Sequence, residues 1–530
     1  MGWRADGGGG ATALDRARET YPVAGTLKHA GLSGFQINAG TSGLTIAEVE
    51  GPDNAADFAG VTLTAGQELV FGQQITMLKL SAGSGVVYNS TQRSAQWYVS
   101  SHAGSDSNTG LTATSQFRTI GKLMEFFIAA GDTVIEDDDS YWREQLNIGD
   151  SITVQRSGTG TNRPIHDAGD IAANDSFSLS SGQTNTYEIA WTPEAGNGST
   201  DHHLTLYEND ELLIYRTSVA LVEANPGSYT VNGFANTAGN TVYVHPKSST
   251  NPANDSKEYV IAKRKDCIDG GDDCIIRGIH CIRNVFNDGA IRLLENALIE
   301  DCIVEYGTKH NAFASNGTFR RCTFRYNEQY AHSEVTLIVF FRAIQTGSDC
   351  NVEECSFIGG NPANTDFPDN TFGYLTHDNS GVTGVNSLTV ADSTFDRVIN
   401  PGDTDAATFV MTGCNATCNA ISAGQNISTI TNNFFKLPST YPGGGRLSLN
   451  GDKTVTLEGN KFHVEQNSSN LLQFLGGATL VARHNSFNFT GAGVSSVIYS
   501  GAVTDTKNIT YENNVSALVP SNGDSLSHAG

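Results

Sequence analysis

Three groups of side chains in this chain have the types and spacing to do chemistry. The first is Glu305, Lys309 and His310, followed shortly by Arg320, Arg321 and Arg325. A basic side chain set among other cations suits abstraction of the C5 proton of a uronate: the cations neutralise the sugar carboxylate and one base takes the proton. The second is the excursion Asn361-Pro-Ala-Asn-Thr-Asp366-Phe-Pro-Asp369, with His377 and Asp378. Paired carboxylates at the right separation cleave a glycosidic bond, one as acid and one as base or nucleophile. The third is Glu136-Asp-Asp-Asp139 with Tyr141, Trp142 and Glu144, where aromatics stand beside acids as they do in sugar-gripping surfaces. Lys309, His310, Arg320, Asp366, Asp369 and Asp378 are thus the candidate catalytic residues. Each group also has a plain structural use, because charged residues solvate turns and Asx-rich loops bond their own backbone. No EF-hand spacing marks the second group as a calcium loop.

The elements that must hold these side chains announce themselves by repetition. An apolar residue, two polar ones, a small residue, one more, then Val or Phe recurs as Ile299-Glu-Asp-Cys302-Ile-Val304, Phe319-Arg-Arg-Cys322-Thr-Phe324 and Val352-Glu-Glu-Cys355-Ser-Phe357. It continues as Val390-Ala-Asp-Ser393-Thr-Phe395, Ile430-Thr-Asn-Asn433-Phe-Phe435, Leu457-Glu-Gly-Asn460-Lys-Phe462 and Ala482-Arg-His-Asn485-Ser-Phe487. The small residues lie 20, 33, 38, 40, 27 and 25 positions apart. Units of this size cannot bury an apolar face alone, so they must stack as a solenoid. Stacking predicts that Cys302, Cys322 and Cys355 pack in one internal column, and that Asn433, Asn460 and Asn485 form a hydrogen-bonded ladder rather than a site.

Composition narrows the possible partners. A formal charge of -24 over 530 residues argues against nucleic acid, whose phosphates would be repelled. The 9 cysteines lack paired zinc spacing with histidines, so the sequence calls for no metal and no cofactor, and fits folding in a reducing cytoplasm. No apolar run reaches membrane-spanning length, and Met1-Gly-Trp-Arg-Ala-Asp-Gly-Gly-Gly-Gly has no signal-peptide core, which predicts neither membrane insertion nor general secretion.

Along the chain, 1–34 reads as a flexible or partner-ordered arm, and 35–90 as a small β domain with Val61–Phe71, Ile75–Leu80 and Gly85–Tyr88 as strands. Residues 95–169 begin the solenoid. An amphipathic helix there carries Phe117, Ile120, Met124, Phe127 and Ile128 on one face, with Thr119 as N-cap and Gly131 beyond its end. Such a helix would cover the exposed end of the stack. Residues 170–265 interrupt the repeat with short strands, 266–518 resume it, and 519–530 read as a disordered tail.

The phrase Tyr98-Val-Ser-x-x-x-Gly104-Ser-Asp106-Ser-Asn108-x-Gly110, then Phe117-Arg-Thr119-Ile120 and Gly131-Asp-Thr-Val134, resembles the start of right-handed parallel β-helix proteins. That superfamily includes pectate-lyase-like polysaccharide enzymes and bacteriophage tailspikes. Gln116 departs from the usual proline, and Asp137 to Asp139 from a usual glycine. The resemblance implies an all-β solenoid over 97 to about 515 and leaves activity open, since fold does not imply function. More loosely, 35–89 resembles the small β modules by which phage virion proteins sit on a capsid, on the strength of Thr64-Ala-Gly66, Phe71-Gly72 and Tyr88. Together these imply a virion structural protein: a capsid-attached decoration or head spike, or a tailspike, on the virion surface. It would be made in the host bacterial cytoplasm and be homotrimeric, with capsid or tail proteins as partners through 1–90 and polysaccharide as ligand. The alternative is a polysaccharide lyase or glycoside hydrolase acting on an acidic polysaccharide.

Overall fold

A computed structural model of the chain describes residues 18–21, 26–32, 35–50, 60–64, 68–71, 75–89, 95–125, 128, 130–158, 162–193, 204–232, 240–285, 289–307, 310–325, 338–342, 349–359, 373–376, 387–398, 408–418, 420–423, 427–438, 446–450, 454–465, 470–475, 479–490, 496–500, 508–512 and 514–516. The chain divides into two compact units: Met1–Ile165 with Asp269–Gly278, and His166–Ile268 with Ile279–Gly530.

The first unit opens with an antiparallel sheet built on two long strands, Phe35–Glu50 and Ile75–Asn89, paired from Phe35 against Asn89 to Glu50 against Met77. Arg18–Tyr21 and Thr26–Leu32 join the same sheet. The stretch expected as an arm therefore supplies two strands, because an open edge on a 15-residue strand is satisfied by pairing. The unit also holds parallel strands in register: Trp97 pairs Val134, Val134 pairs Val154, and Val154 pairs Ile276. All four point inward and are fully buried.

The edge strand Gln96–Val99 is covered by the glycine-rich phrase that follows it. Tyr98 N donates to Gly110 O, Phe117 N to Tyr98 O and Ser100 N to Phe117 O. Asp106 Oδ1 accepts from the backbone N–H of Arg118 (2.9 Å) and Thr119 (3.0 Å), stapling the loop shut. Gly110 must be glycine: its φ is +70°, and a Cβ there would lie 2.1 Å from the Phe117 ring. The expected amphipathic helix shrinks to one turn, Ile120–Leu123, capped by the Thr119 side chain as the sequence implies. Its C-cap is Met124, not Gly131, so Met124 is left exposed and the cover over the edge comes from loop and bridge rather than from a long helix.

In the second unit the repeat becomes stacked coils, each contributing one strand to each of two long parallel sheets. The first sheet takes the segment before the small residue, for example Thr318–Arg320, Asp349–Glu353, Ser387–Ala391, Thr408–Thr412 and Ile427–Thr431. The second takes the segment after it, for example Thr323–Arg325, Ser356–Ile358, Thr394–Val398, Asn415–Cys418 and Phe434–Leu437. Shorter parallel runs, such as Ala420–Ala423 with Arg446–Asn450 and Asn470–Leu475, form further ladders. Neighbouring strands pair parallel and in register, coil upon coil. The fold is a parallel β-helix.

The bend between the two sheets is made by the residue before the small one. Asp301, Arg321, Glu354, Asp392, Asn432 and His484 all hold φ between 48° and 57°, and Gly413 and Gly459 hold 67° and 68°. Left-handed backbone is unfavourable for side-chain-bearing residues. The small residue itself compensates, by tying each coil to the next. Asn433 Oδ1 accepts from Cys414 N (2.8 Å), Asn460 Oδ1 from Asn433 N (3.0 Å) and Asn485 Oδ1 from Asn460 N (3.0 Å). Their Nδ2 atoms donate to Met411 O, Ile430 O and Leu457 O. Lower down, Ser393 Oγ accepts from Cys355 N, and Cys355 Sγ from Cys322 N. The cysteine column and the asparagine ladder are thus one continuous column.

The interval of 40 between Ser393 and Asn433 hides a coil, whose small residue is Cys414. Ala416 there replaces the expected Phe or Val, which conceals the phrase. Burial pushes the Cys414 thiol up to about 12 and the Cys350 thiol up to about 11, so these thiols stay protonated and act as small apolar groups.

The interruption of the repeat is a pair of antiparallel sheets. One holds Gly169–Ala172, Tyr259–Ala262, Leu206–Glu208 and Glu211–Leu212. The other holds Ser178–Leu179, Tyr187–Trp191, Asn240–His245, Ser228–Asn232 and, parallel to the last, Ile214–Tyr215. They share a core of Phe177, Tyr187, Tyr229, Val242, Tyr259 and their neighbours.

Candidate functional site

The parallel register decides what the first candidate group becomes. Arg320 lies between Glu300 and Glu353 on adjacent coils. Its Nε donates to Glu353 Oε2 at 2.8 Å, with Nη1 3.6 Å from Glu300 Oε1. Arg321, at the bend, donates to Asp301 Oδ1 at 2.8 Å and to Glu300 Oε1 at 2.7 Å. The hydrogen bonds that Arg320 donates to Glu353 and Arg321 donates to Asp301 raise both guanidinium groups above their ordinary value. A guanidinium held this way gives up its proton less readily, and the ion pairs make Arg320 and Arg321 ties between coils.

The second sheet brings together a different trio. Register places Glu305 between Ile282 and Arg325. Glu305 Oε1 lies 2.8 Å from His280 Nε2, and Arg325 Nε donates to Oε2. The Glu305 side chain is 8% exposed, that of His280 16%. Burial opposes ionisation of Glu305, but His280 and Arg325 outweigh it and hold the carboxyl below its ordinary value near 4.5. A carboxylate that orients an imidazole and is itself held by a guanidinium can present a base through the other ring nitrogen, or receive an anion beside Arg325. His280 was not visible as a candidate, because Arg277-Gly-Ile-His280 does not repeat the small-residue phrase. The usable signal was its distance of 25 residues from Glu305, one coil away.

The remaining candidate residues divide. Lys309, the loop 361–369 with Asp366 and Asp369, His377 and Asp378 lie outside the described residues. His310 is described only as backbone, in the strand His310–Ser315. Three acids of the third group are engaged with neighbouring turns. Asp137 accepts from Ser100 Oγ and Ser157 Oγ, Asp138 accepts from Gly158 N, and Glu144 accepts from Gly121 N at the helix turn. Trp142 is buried with its Nε1 on Arg118 O, while Arg143 stacks 5.0 Å from the Tyr141 ring centroid. These residues fasten turns.

No family model matches this chain, and no curated protein is similar to it. Solved structures with a similar course of chain include the complex of XylC with xylose, at 12% identity over 76% of this chain and 69% of that one, with a TM-score of 0.44. A glycoside hydrolase follows at 8% identity over 80% and 97%, TM-score 0.44. The tailspike of Pseudomonas phage phi297 matches at 9% identity over 72% and 71%, TM-score 0.26. At these values none of the likenesses carries an argument about what this chain does.

The Glu305 trio has a testable consequence for acid stability. A carboxyl held below its ordinary value contributes stability that is complete above that value and is lost as pH falls through the folded-state value. Thermal unfolding followed from pH 6 downward should therefore show a loss beginning near pH 4.5. Glu305→Gln should destabilise at neutral pH by about 2 kcal/mol and flatten this part of the profile, since it strands a half-buried guanidinium. An unchanged profile in the variant would remove Glu305 from the account.

Proposed function

We propose that this chain is a structural protein on the surface of a bacteriophage particle, with a β-helix that projects outward and contacts glycans. Residues 1–90 attach it to capsid or tail proteins, as a capsid decoration, head spike or tailspike, and three copies assemble together. The observation that supports this most is the use made of the charged side chains described on the coils. Arg320, Arg321 and Arg325 each bond carboxylates on neighbouring coils, so chemistry that could have served a reaction instead stiffens the stack. A separate antiparallel sheet precedes the first parallel strand, as an anchoring module would.

The second reading, a polysaccharide lyase or glycoside hydrolase, is favoured by one arrangement, the buried Glu305 with His280 and Arg325. Two measurements separate the readings. The chain with residues 1–90 present should co-sediment with purified particles and lose that association when those residues are deleted. Association that survives the deletion would remove the anchor assignment. Incubation with acidic polysaccharides should yield neither new unsaturated ends, as a lyase would leave, nor new reducing ends, as a hydrolase would leave. A signal from either kind of end, lost on Lys309→Ala or His280→Ala, would replace the structural reading with the enzymatic one.

A further inference from the structure

On the second sheet the residue just after the small one faces outward. Thr323, Ser356, Thr394, Asn415, Lys461 and Ser486 hold that place on their coils, and register sets them in one row. The coil of Asn433 departs from this polar rule and puts Phe434 there. Its chain neighbour Phe435 is fully buried and already fills the interior of that coil, so the core has no use for a second ring. Phe434 is 39% exposed, the one aromatic side chain that is exposed among the described residues. Among those residues no other ring and no cation engages it.

The neighbours of Phe434 in this row are Asn415 on one coil and Lys461 on the next, with Ser486 beyond, and all four are exposed. Paired strands set such neighbours about 4.8 Å apart. Lys461 departs from the use made of the arginines: among the described residues no carboxylate pairs with it. The adjacent outward row holds Lys436, His463 and Asn488, and these are committed elsewhere. Lys436 Nζ and His463 Nε2 each lie 3.2 Å from Glu465 Oε1, and Asn488 Nδ2 lies 3.2 Å from His463 Nδ1. Glu465 follows the strand Lys461–Val464, so these groups are drawn toward the strand's end, away from Lys461 at its start. The hydrogen bond from Lys436, above all, holds the Glu465 carboxyl below its ordinary value. That carboxylate is therefore occupied and does not compete for Lys461. In a chain of formal charge -24, an unpaired cation marks a place where an anionic ligand meets attraction rather than repulsion. Apolar ring surface, an ammonium one coil away, and an amide and a hydroxyl beside them match a sugar that carries a carboxylate.

We propose that the outward row Asn415–Phe434–Lys461–Ser486 binds a uronate-containing oligosaccharide, with C–H surface of a sugar ring on Phe434 and a carboxylate on the Lys461 ammonium. This rests on the glycan-contacting part of the proposed function and gives that contact a place on the coils and an acidic ligand.

The test puts this chain on an array of uronate-containing oligosaccharides and their neutral counterparts, followed by calorimetric titration of the strongest binder. Wild type should prefer the uronates, and added salt should weaken that preference. Phe434→Thr and Lys461→Thr install the residue that Thr323 and Thr394 already supply in this row, so both variants should unfold at the wild-type temperature. Phe434→Thr should weaken binding about tenfold for acidic and neutral sugars alike. Lys461→Thr should weaken uronate binding about fivefold and abolish its salt dependence. Phe434→Tyr keeps the ring and should bind within about threefold of wild type. A Phe434→Thr chain that unfolds well below wild type makes the ring a packing residue and overturns the site. Uronate binding unchanged in both folded threonine variants overturns it as well, and leaves the glycan contact to another surface. A wild-type chain that binds no uronate on the array overturns the site and the acidic glycan contact together, and leaves particle attachment through residues 1–90 standing.

Discussion

Asn460→Ala is expected to lower the stability of the coils by about 3–5 kcal/mol, measured by chemical denaturation, far more than an ordinary polar substitution. Asn460 is fully buried and uses every polar atom of its side chain. Its Oδ1 accepts from Asn433 N and Asn433 Nδ2, both at 3.0 Å. Its Nδ2 donates to Ile430 O at 2.8 Å and to Asn485 Oδ1 at 2.9 Å. Truncation leaves Asn433 N and Ile430 O buried without the partner they had, each at about 1–3 kcal/mol, and opens a void beside them. The bend at Asn432 and Gly459 depends on the same bonds, because they hold adjacent coils at the place where the backbone is left-handed. Asn460→Ser should cost less than alanine, since Ser393 already accepts from the preceding coil's backbone at this position. Asn488 is exposed on the second sheet, and its alanine variant should lie within about 0.5 kcal/mol of wild type. A cost below about 1 kcal/mol for Asn460→Ala would mean that the ladder is decorative.

How much of this could be read beforehand follows from what each part depends on. The coils were legible because a period imposed by stacking leaves its mark on every turn: the small residue, the apolar residue three before it and the aromatic two after it all have fixed neighbours. The phrase failed at Cys414, where packing moved the aromatic elsewhere in the coil. The helix after Thr119 was read too long because apolar spacing alone does not report that Phe117 is already engaged by the edge strand through Tyr98 and Ser100. The site was less legible for a deeper reason. Glu305, His280 and Arg325 belong to three different coils, and their meeting is set by register between strands about 20 residues apart, 25 for His280 and 20 for Arg325. No local pattern encodes a meeting of that kind. Arg320 and Arg321 looked like a base among cations for the same reason: their carboxylate partners Glu300, Asp301 and Glu353 lie on neighbouring coils, and only the register brings them together.

Phe357→Ala should cost about 3–5 kcal/mol, at the upper end for a buried aromatic. Phe357 is fully buried between Phe324, at a centroid distance of 5.3 Å, and Phe395, at 4.9 Å, both rings nearly parallel to its own. Its neighbours cannot close the gap, since the columns on either side are pinned by strand register and by the Cys355 contacts. A second stack of the same kind runs through Phe435, Phe462 and Phe487. The two stacks are separated by Ala416, and that coil shows how the core tolerates losing its ring. Phe409 and Met411, both buried in the first sheet, supply the missing volume, where the next coil has Ser428 and Ile430 beside Phe435. What the fold conserves is therefore the volume of each coil, not the position of its aromatic. Register aligns Cys350 with Leu388, and Leu388 with Phe409, so Cys350 occupies the place from which Phe409 fills its own coil. Adding Cys350→Phe to Phe357→Ala should accordingly recover about half of the lost stability, although Cys350→Phe alone overpacks the core and destabilises by about 1–3 kcal/mol. Two substitutions, each harmful singly, would then be less harmful together. If their costs simply add, the coils are filled position by position and the volume argument fails.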